Sequence, residues 1–194
     1  MANIRIPEIP AQVAERIQRA EEDCQTAFAR VDAIERVNTR RVVRAFQEYR
    51  VGARHFAPTT GYGYDDIGRD TLSKLFSFVF ETEDALVRPQ IASGTHALAL
   101  CLYGVLRPGD EMLAAAGKPY DTLEEVIGIA GEPGSGSLRD FDVGYREVGL
   151  RPDGEIDIEG VLGQLAPSVK LVLIQRSRGY DWRPSLSVAQ IDAA

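Results

Sequence analysis

Apolar residues recur every three or four positions through the first part of the chain, at Val13, Ile17, Ala20, Cys24, Ala27, Phe28 and Val31, which predicts an amphipathic helix. Asp32-Ala-Ile-Glu35 has the spacing of a capping box, with Asp in place of Ser or Thr, and predicts the start of a second helix. The apolar face of that helix would be Val37, Val42, Phe46 and Tyr49, with Gly52 ending it. Pro58–Arg69 is rich in Gly and Tyr, has no period, and reads as irregular. Leu72, Leu75, Phe76 and Val79 then fall on one side of a short helix.

Beyond this the pattern shortens and alternates. Ala85–Ile91 reads as a strand, Thr95–Leu106 as a helix stopped by Arg107-Pro-Gly-Asp110, and Glu111–Ala115 as a strand. Asp121-Thr-Leu-Glu124 repeats the acidic capping-box spacing and opens a helix through Ile129, and Gly131–Ser137 is a loop by composition. Asp157 caps a helix carrying Ile158, Val161, Leu162 and Leu165, before the strand-like run Lys170–Ile174. Strands alternating with helices predict an α/β fold: N-terminal helices followed by part of a mainly parallel sheet covered by helices. The expected division is residues 1–69 as a helical segment and 70–194 as part of the sheet-bearing domain. Pro184–Asp192 has the signals of one further helix turn, which suggests a chain truncated at Ala194 with a sheet edge and helix faces left to cover.

The 194 residues carry 22 basic and 29 acidic side chains, a net charge of −7. Residues 1–54 are mildly basic, through Arg36, Arg40, Arg41, Arg44, Arg50 and Arg54, and 55–138 hold most of the negative charge. The basic group reads either as a solvated helix face or as a nucleic-acid arm. No continuous basic stripe exists, so nucleic acid is not an expected partner. The longest apolar run, Ala97–Leu106, is half of the roughly 20 residues a membrane-spanning helix needs. Residues 1–7 have no apolar core of a signal peptide. Together these predict a soluble, cytoplasmic protein with no membrane partner. His55 and His96, the only histidines, lack ligand spacing to each other or to a cysteine, so no metal is expected. Cys24 and Cys101 are far apart in apolar contexts, and Cys101 reads as a core residue or a nucleophile.

The most informative stretch is Ile91-Ala-Ser93-Gly94-Thr95-His96-Ala97, where a strand is expected to pass into a helix. Small residues there let a phosphate approach first-turn amides, with the helix dipole behind them and the Ser93 and Thr95 hydroxyls adding donors. The same residues also make a plain helix N-cap. Lys118-Pro-Tyr120-Asp121 ends the next strand–helix unit at the same sheet edge, where Tyr120 either lies over a flat ligand or packs on its loop. Gln175-Arg-Ser177 follows the next strand to that edge. No nucleophile elbow, Walker lysine or dinucleotide fingerprint is present.

Gly61-Tyr-Gly-Tyr-Asp-Asp-Ile-Gly-Arg69, Ala85-Leu-Val-Arg-Pro-Gln-Ile91, Ser93-Gly-Thr-His-Ala97 and Gly117-Lys-Pro-Tyr-Asp-Thr-Leu-Glu-Glu-Val-Ile-Gly128 occur in this order. Together they resemble the aluminium-resistance, cystathionine β-lyase/methionine γ-lyase-like enzymes, from about residue 30 onward. The resemblance implies a fold-type-I chain with pyridoxal 5′-phosphate as cofactor, acting as a carbon–sulfur lyase on a small amino-acid substrate. It also implies a homodimer or homotetramer with the cofactor site at a subunit interface. By position, Ser93, Gly94 and Thr95 would hold the cofactor phosphate, and Tyr120 resembles the residue stacked on its ring. Tyr64 and Arg69 would reach the partner subunit's site, although their spacing of five differs from the two of better-known γ-lyase relatives. Gln175 lies where relatives place a ring contact. The family's Schiff-base lysine and pyridine-nitrogen aspartate have no counterpart here. Lys74, Lys118 and Lys170 are the only lysines, and none matches the Schiff-base position. The chain alone is therefore expected to be inactive as a lyase. Two other readings stay open: a non-catalytic fragment that binds phosphate-bearing ligands or a full-length subunit, and an aminotransferase or decarboxylase of the same fold.

Overall fold

The computed structural model describes residues 9–194, and the N-terminal heptapeptide examined for signal-peptide character lies outside them. The chain divides into two compact units, one ending at Pro89 and the other beginning at Gln90.

In the first unit, α1 (Ala11–Glu48) is one unbroken helix, so the second start expected at Asp32 does not exist. Nothing between residues 11 and 48 can stop it: the segment holds neither Gly nor Pro, and its apolar positions continue through Ile34 and Val37. Asp32 remains an exposed helix-interior residue. Ala45 is buried near the C-terminal end of α1, where Tyr49 meets Phe78 edge-on with ring centroids 6.1 Å apart. Phe78 lies on α2 (Ile67–Phe80), whose N-cap is Asp66, with its carboxylate accepting the Arg69 amide at 3.0 Å. Residues 70–89 therefore sit in this unit with α1.

Ala85–Ile91, expected as a strand, is irregular. Pro89 has no amide to donate to a ladder. Arg88 instead donates to the Ser73 hydroxyl on α2 at 2.8 Å.

The second unit is an α/β layer structure. Its elements run α3 (Gly94–Val105), β1 (Glu111–Ala114), α4 (Asp121–Ile127), β2 (Gly144–Glu147), α5 (Ile158–Gln164), β3 (Val169–Leu173) and α6 (Val188–Asp192). The three strands form a parallel sheet in the order β2-β1-β3. Here β2 takes the place of the strand expected at residues 85–91. Its sequence, Gly-Tyr-Arg-Glu, has no apolar alternation, because Arg146 pairs with Glu111 on β1 rather than entering an apolar core.

Met112, Leu113 and Ala114 are all buried, as a central parallel strand covered on both faces requires. Leu102 and Leu106 of α3, Met112, and Leu123 and Ile127 of α4 form one core cluster with Leu138 and Val143. Ala116, Ile156 and Leu186 form a second, packed against Ile158 and Val161 of α5 and Ile191 of α6. Cys101 lies on the exposed side of α3 rather than in the core, and Cys24 is exposed on α1. Among the described residues, no helix is long and apolar enough to cross a membrane.

Two caps follow the sequence: Asp157 accepts the Gly160 amide at 3.0 Å, and Ser187 and Gln190 make a reciprocal box on α6. The third does not. Tyr120, not Asp121, is the N-cap of α4, and Asp121 and Glu124 lie in its first turn, where their charges favour the helix dipole.

The glycine-rich loop 131–137 is organised by one carboxylate. Asp140 accepts the amides of Gly134, Gly136 and Ser137, each at 2.9 Å, and the Ser137 hydroxyl at 3.0 Å. The amides of Gly134 and Ser137 are the main cause holding its carboxyl at about 2. A carboxylate with a depressed folded-state value stabilises the fold above its ordinary 3.8, and that contribution disappears as pH falls through about 2. Asp140→Asn is expected to lower Tm near neutral pH and to flatten the fall of Tm between pH 4 and 2. Thermal melts of both proteins across that range check this, and parallel curves would contradict it.

Candidate functional site

Parallel strands deliver the chain to one edge of the sheet at their C-terminal ends, where open α/β sheets bind ligands. Here β1 leads into Ala115–Tyr120, and β3 leads into the long loop Ile174–Ser187. The two exits are joined at their base: the Ala115 amide donates to Leu173 O, and the Gly117 amide to Val148 O after β2, each at 2.8 Å.

At the start of α3, Ser93 has extended backbone (φ −158°, ψ 168°) and its hydroxyl accepts the His96 amide at 3.1 Å. The Ser93 carbonyl takes the Ala97 amide at 3.0 Å. The amides of Gly94 and Thr95 therefore have no partner within the helix. A Cβ added at Gly94 would meet nothing within 4 Å, so the backbone there is open to close approach. The Thr95 hydroxyl donates to that of Thr122 in the first turn of α4, at 2.9 Å.

This bond ties the start of α3 to the α4 segment that carries Tyr120. The Tyr120 amide in turn donates to Oε1 of Gln175 at 2.7 Å, across 55 positions of sequence. The other end of the Gln175 carboxamide donates to Ser177 O at 3.1 Å. Gln175 thus has both ends engaged in fixing Tyr120 and its own loop. The ring of Tyr120 stacks on Tyr180, with centroids 5.6 Å apart and planes 25° from parallel. The neighbouring Tyr180 hydroxyl, followed by partial desolvation, raises the Tyr120 phenol above its ordinary value.

Tyr120, Gln175 and Tyr180 line a cleft of about 670 Å³ with Lys118, Arg178 and Arg183. Lys118 is ion-paired to Glu124 at 2.8 Å. Arg183 donates to Ser177 O at 2.9 Å and to Pro184 O at 3.1 Å, which braces the loop after β3.

Tyr64 and Arg69 belong to the first unit. The Arg69 guanidinium donates to Gly61 O at 3.1 Å and Gly63 O at 3.0 Å, and pairs with Asp70 at 2.8 Å. It holds the 61–64 loop in shape, while Tyr64 is 101% exposed and free of side-chain packing.

The structure thus links Thr95, Tyr120 and Gln175 at one sheet edge, with Ser93 and Gly94 preceding Thr95 at the start of α3. Sequence reasoning missed Thr122, Tyr180 and Arg183. For Thr122 no signal existed, because a hydroxyl in a first helical turn is ordinary. Tyr180 and Trp182, two aromatic residues in a loop that follows a strand to the same edge, were a usable signal.

The sequence model described as methionine gamma-lyase matches residues 13–194. YnbB, an uncharacterized protein of Bacillus subtilis, is 49% identical over 171 residues, covering 88% of this chain and 41% of that protein. A Listeria monocytogenes protein described as a "putative cystathionine beta-lyase involved in aluminum resistance" is 48% identical, with a TM-score of 0.86 over 91% of this chain and 43% of its own. A "carbon-sulfur lyase involved in aluminum resistance" from Clostridium novyi is 43% identical, with a TM-score of 0.87 over 95% of this chain and 44% of its own. The chain spans less than half the length of these relatives.

The Tyr120–Gln175 bond makes its own prediction. Gln175→Ala leaves a half-buried backbone amide without its acceptor, which costs about 1–3 kcal/mol. Gln175→Glu retains the acceptor for Tyr120 but sets a carboxylate oxygen against Ser177 O, and is expected to recover only part of that loss. Urea denaturation of the three proteins measures both, and a Gln175→Ala variant as stable as the parent would show that the bond contributes nothing.

Proposed function

Since the chain belongs to the methionine gamma-lyase family, we propose that it forms the phosphate- and ring-holding part of a pyridoxal 5′-phosphate-dependent carbon–sulfur lyase acting on sulfur-containing amino acids in the cytoplasm. The observation that carries this reading is the linked set at one sheet edge: unpartnered amides at Gly94 and Thr95, joined through Thr95–Thr122 to the start of α4, where Gln175 holds the backbone amide of Tyr120.

The donor set fits such a cofactor. Two first-turn amides at the positive end of α3 suit a phosphate dianion, and the missing side chain of Gly94 admits it to the backbone. Ser93 spends its oxygen on the His96 amide, so its part is to set the helix start, with its hydroxyl proton available to a phosphate oxygen. The Thr95 hydroxyl, already donating to Thr122, holds the two helix starts in register. Tyr120, two residues before Thr122, offers a flat ring, and Gln175 fixes the backbone that carries it.

When bound, the cofactor supplies an electron-accepting ring to the substrate's α-carbon. Tyr64 and Arg69 are assigned to the partner subunit's site in a homodimer or homotetramer, Arg69 shaping the loop and Tyr64 making the contact. None of the three lysines is assigned to cofactor attachment. Lys118 is ion-paired to Glu124, Lys74 lies on α2 in the first unit, and Lys170 is exposed on β3. On this reading attachment falls to none of the three, and the 194-residue chain alone is expected to turn over no amino acid.

Pyridoxine 5′-phosphate, which lacks the aldehyde and needs no lysine, tests the cradle directly. It is expected to bind saturably at one site per chain. Gly94→Pro removes one amide donor while suiting the first helical position, where proline is favoured after an extended residue such as Ser93. Loss of one bond to a charged group is expected to weaken binding about tenfold or more, with Tm unchanged. Equal affinity for parent and Gly94→Pro, measured by equilibrium dialysis, would overturn the phosphate assignment.

A further inference from the structure

The loop after β3 brings a second aromatic ring onto the first. Tyr180 stacks on Tyr120 with ring centroids 5.6 Å apart, yet it is itself 83% exposed. Its approach depends on the residue before it. Gly179 has φ +60°, and a Cβ there would lie 2.9 Å from Cδ2 of the Tyr120 ring and 3.4 Å from Cε2. Only glycine lets the loop pass this close to the ring, and its backbone turns freely in this region.

The loop is anchored on both sides of this point. On one side Gln175 and Ser177 are held by their mutual bond and by Arg183. On the other, the Leu186 amide donates to Arg176 O at 3.0 Å, and Leu186 is 1% exposed in the second core cluster. Between these anchors, the side chains of Tyr180 and Trp182 extend into solvent (83% and 95% exposed), and the ring of Tyr180 rests on that of Tyr120.

A flat ligand cannot join this pair as it stands. A ring sandwiched between two others needs about 4.5 Å to each, or about 9 Å between the outer centroids, whereas the two tyrosines are 5.6 Å apart. We propose that Tyr180 is an intramolecular stand-in for the ligand's ring: it lies over the stacking face of Tyr120, and a flat aromatic phosphate binds by displacing it about Gly179. This rests on the ring-site reading of Tyr120 above and adds a residue that competes for that site. The exchange costs a ring-bearing ligand part of its stacking gain. A ring recovers the stack that Tyr180 gives up, and a non-aromatic phosphate does not, so it binds only at the amides and leaves Tyr180 in place.

The test is equilibrium dialysis of pyridoxine 5′-phosphate and, separately, inorganic phosphate against the parent chain, Tyr180→Ala, Tyr180→Phe and the double variant Tyr120→Ala/Tyr180→Ala. Removing the competing ring is expected to tighten pyridoxine 5′-phosphate binding about twofold to tenfold, the value of one exposed aromatic stack. Tyr180→Phe keeps the stack and is expected to bind as the parent does, and phosphate affinity is expected to be the same in parent and Tyr180→Ala. In ¹³C-tyrosine spectra, saturation with pyridoxine 5′-phosphate should move the Tyr180 ring signals to the positions of an exposed tyrosine. Unchanged or weaker binding by Tyr180→Ala, with the double variant about twofold to tenfold weaker than Tyr180→Ala, would overturn the stand-in role while leaving the ring site standing. Double-variant binding as tight as that of Tyr180→Ala would remove the ring site and this inference with it.

Discussion

The strand Glu111–Ala114 has a parallel neighbour on each edge and apolar helices over its faces, so its backbone groups must be paired within the sheet and its side chains must be apolar. Met112, Leu113 and Ala114 meet that demand. Their burial fixes the position of the strand's C-terminal end to within the packing tolerance of a protein interior. Everything that follows the strand inherits this: Ala115 bonds to the end of β3, Gly117 to the segment after β2, and three residues later Tyr120 opens α4. The site is precise because the chain leaves the core only a few residues before it.

Three contacts then convert a sheet edge into a cradle. Thr95 to Thr122 joins α3 to α4, Tyr120 to Gln175 joins α4 to the loop after β3, and Arg183 braces that loop. Each is a neutral or singly charged bond of ordinary strength, and none carries the fold. Their effect is to hold the start of α3, the backbone at Tyr120 and the loop after β3 in a constant relation. Tyr180 belongs to the same economy. An aromatic face kept covered by the chain's own ring exposes less apolar surface to water than a bare one.

The long α1 helix shows the opposite balance. Propensity and the absence of Gly or Pro make it continuous, yet only Ala45 along it is buried. Val13, Ile17, Phe28, Val31 and Val37 remain exposed, a face whose apolar period is far more regular than its packing within the described residues requires.

Periodicity was enough to identify α2, α3, α5, β1 and β3, because each buries a stripe or run whose spacing matches its own geometry, and Pro184–Asp192 carried the signals of the turn that became α6. Motif order was enough to name the family and to single out Ser93, Gly94, Thr95, Tyr120 and Gln175. It was not enough for contacts between residues distant in sequence. Ala85–Ile91 has strand-like residues but Pro89 and the Arg88–Ser73 bond keep it out of the sheet, while Gly144–Glu147 lacks strand-like alternation and pairs with β1 because the Glu111–Arg146 ion pair and the parallel register hold it there. Asp32 has the spacing of a cap inside a helix that nothing interrupts. Local sequence thus determined α2, α3, α5, β1, β3 and the open start of α3, since each depends on neighbours along the chain. Tertiary structure alone decided which strands pair, that Gln175 acts on Tyr120, and that Tyr180 lies over it. Those relations join positions up to tens of residues apart, and no spacing within a single segment encodes them.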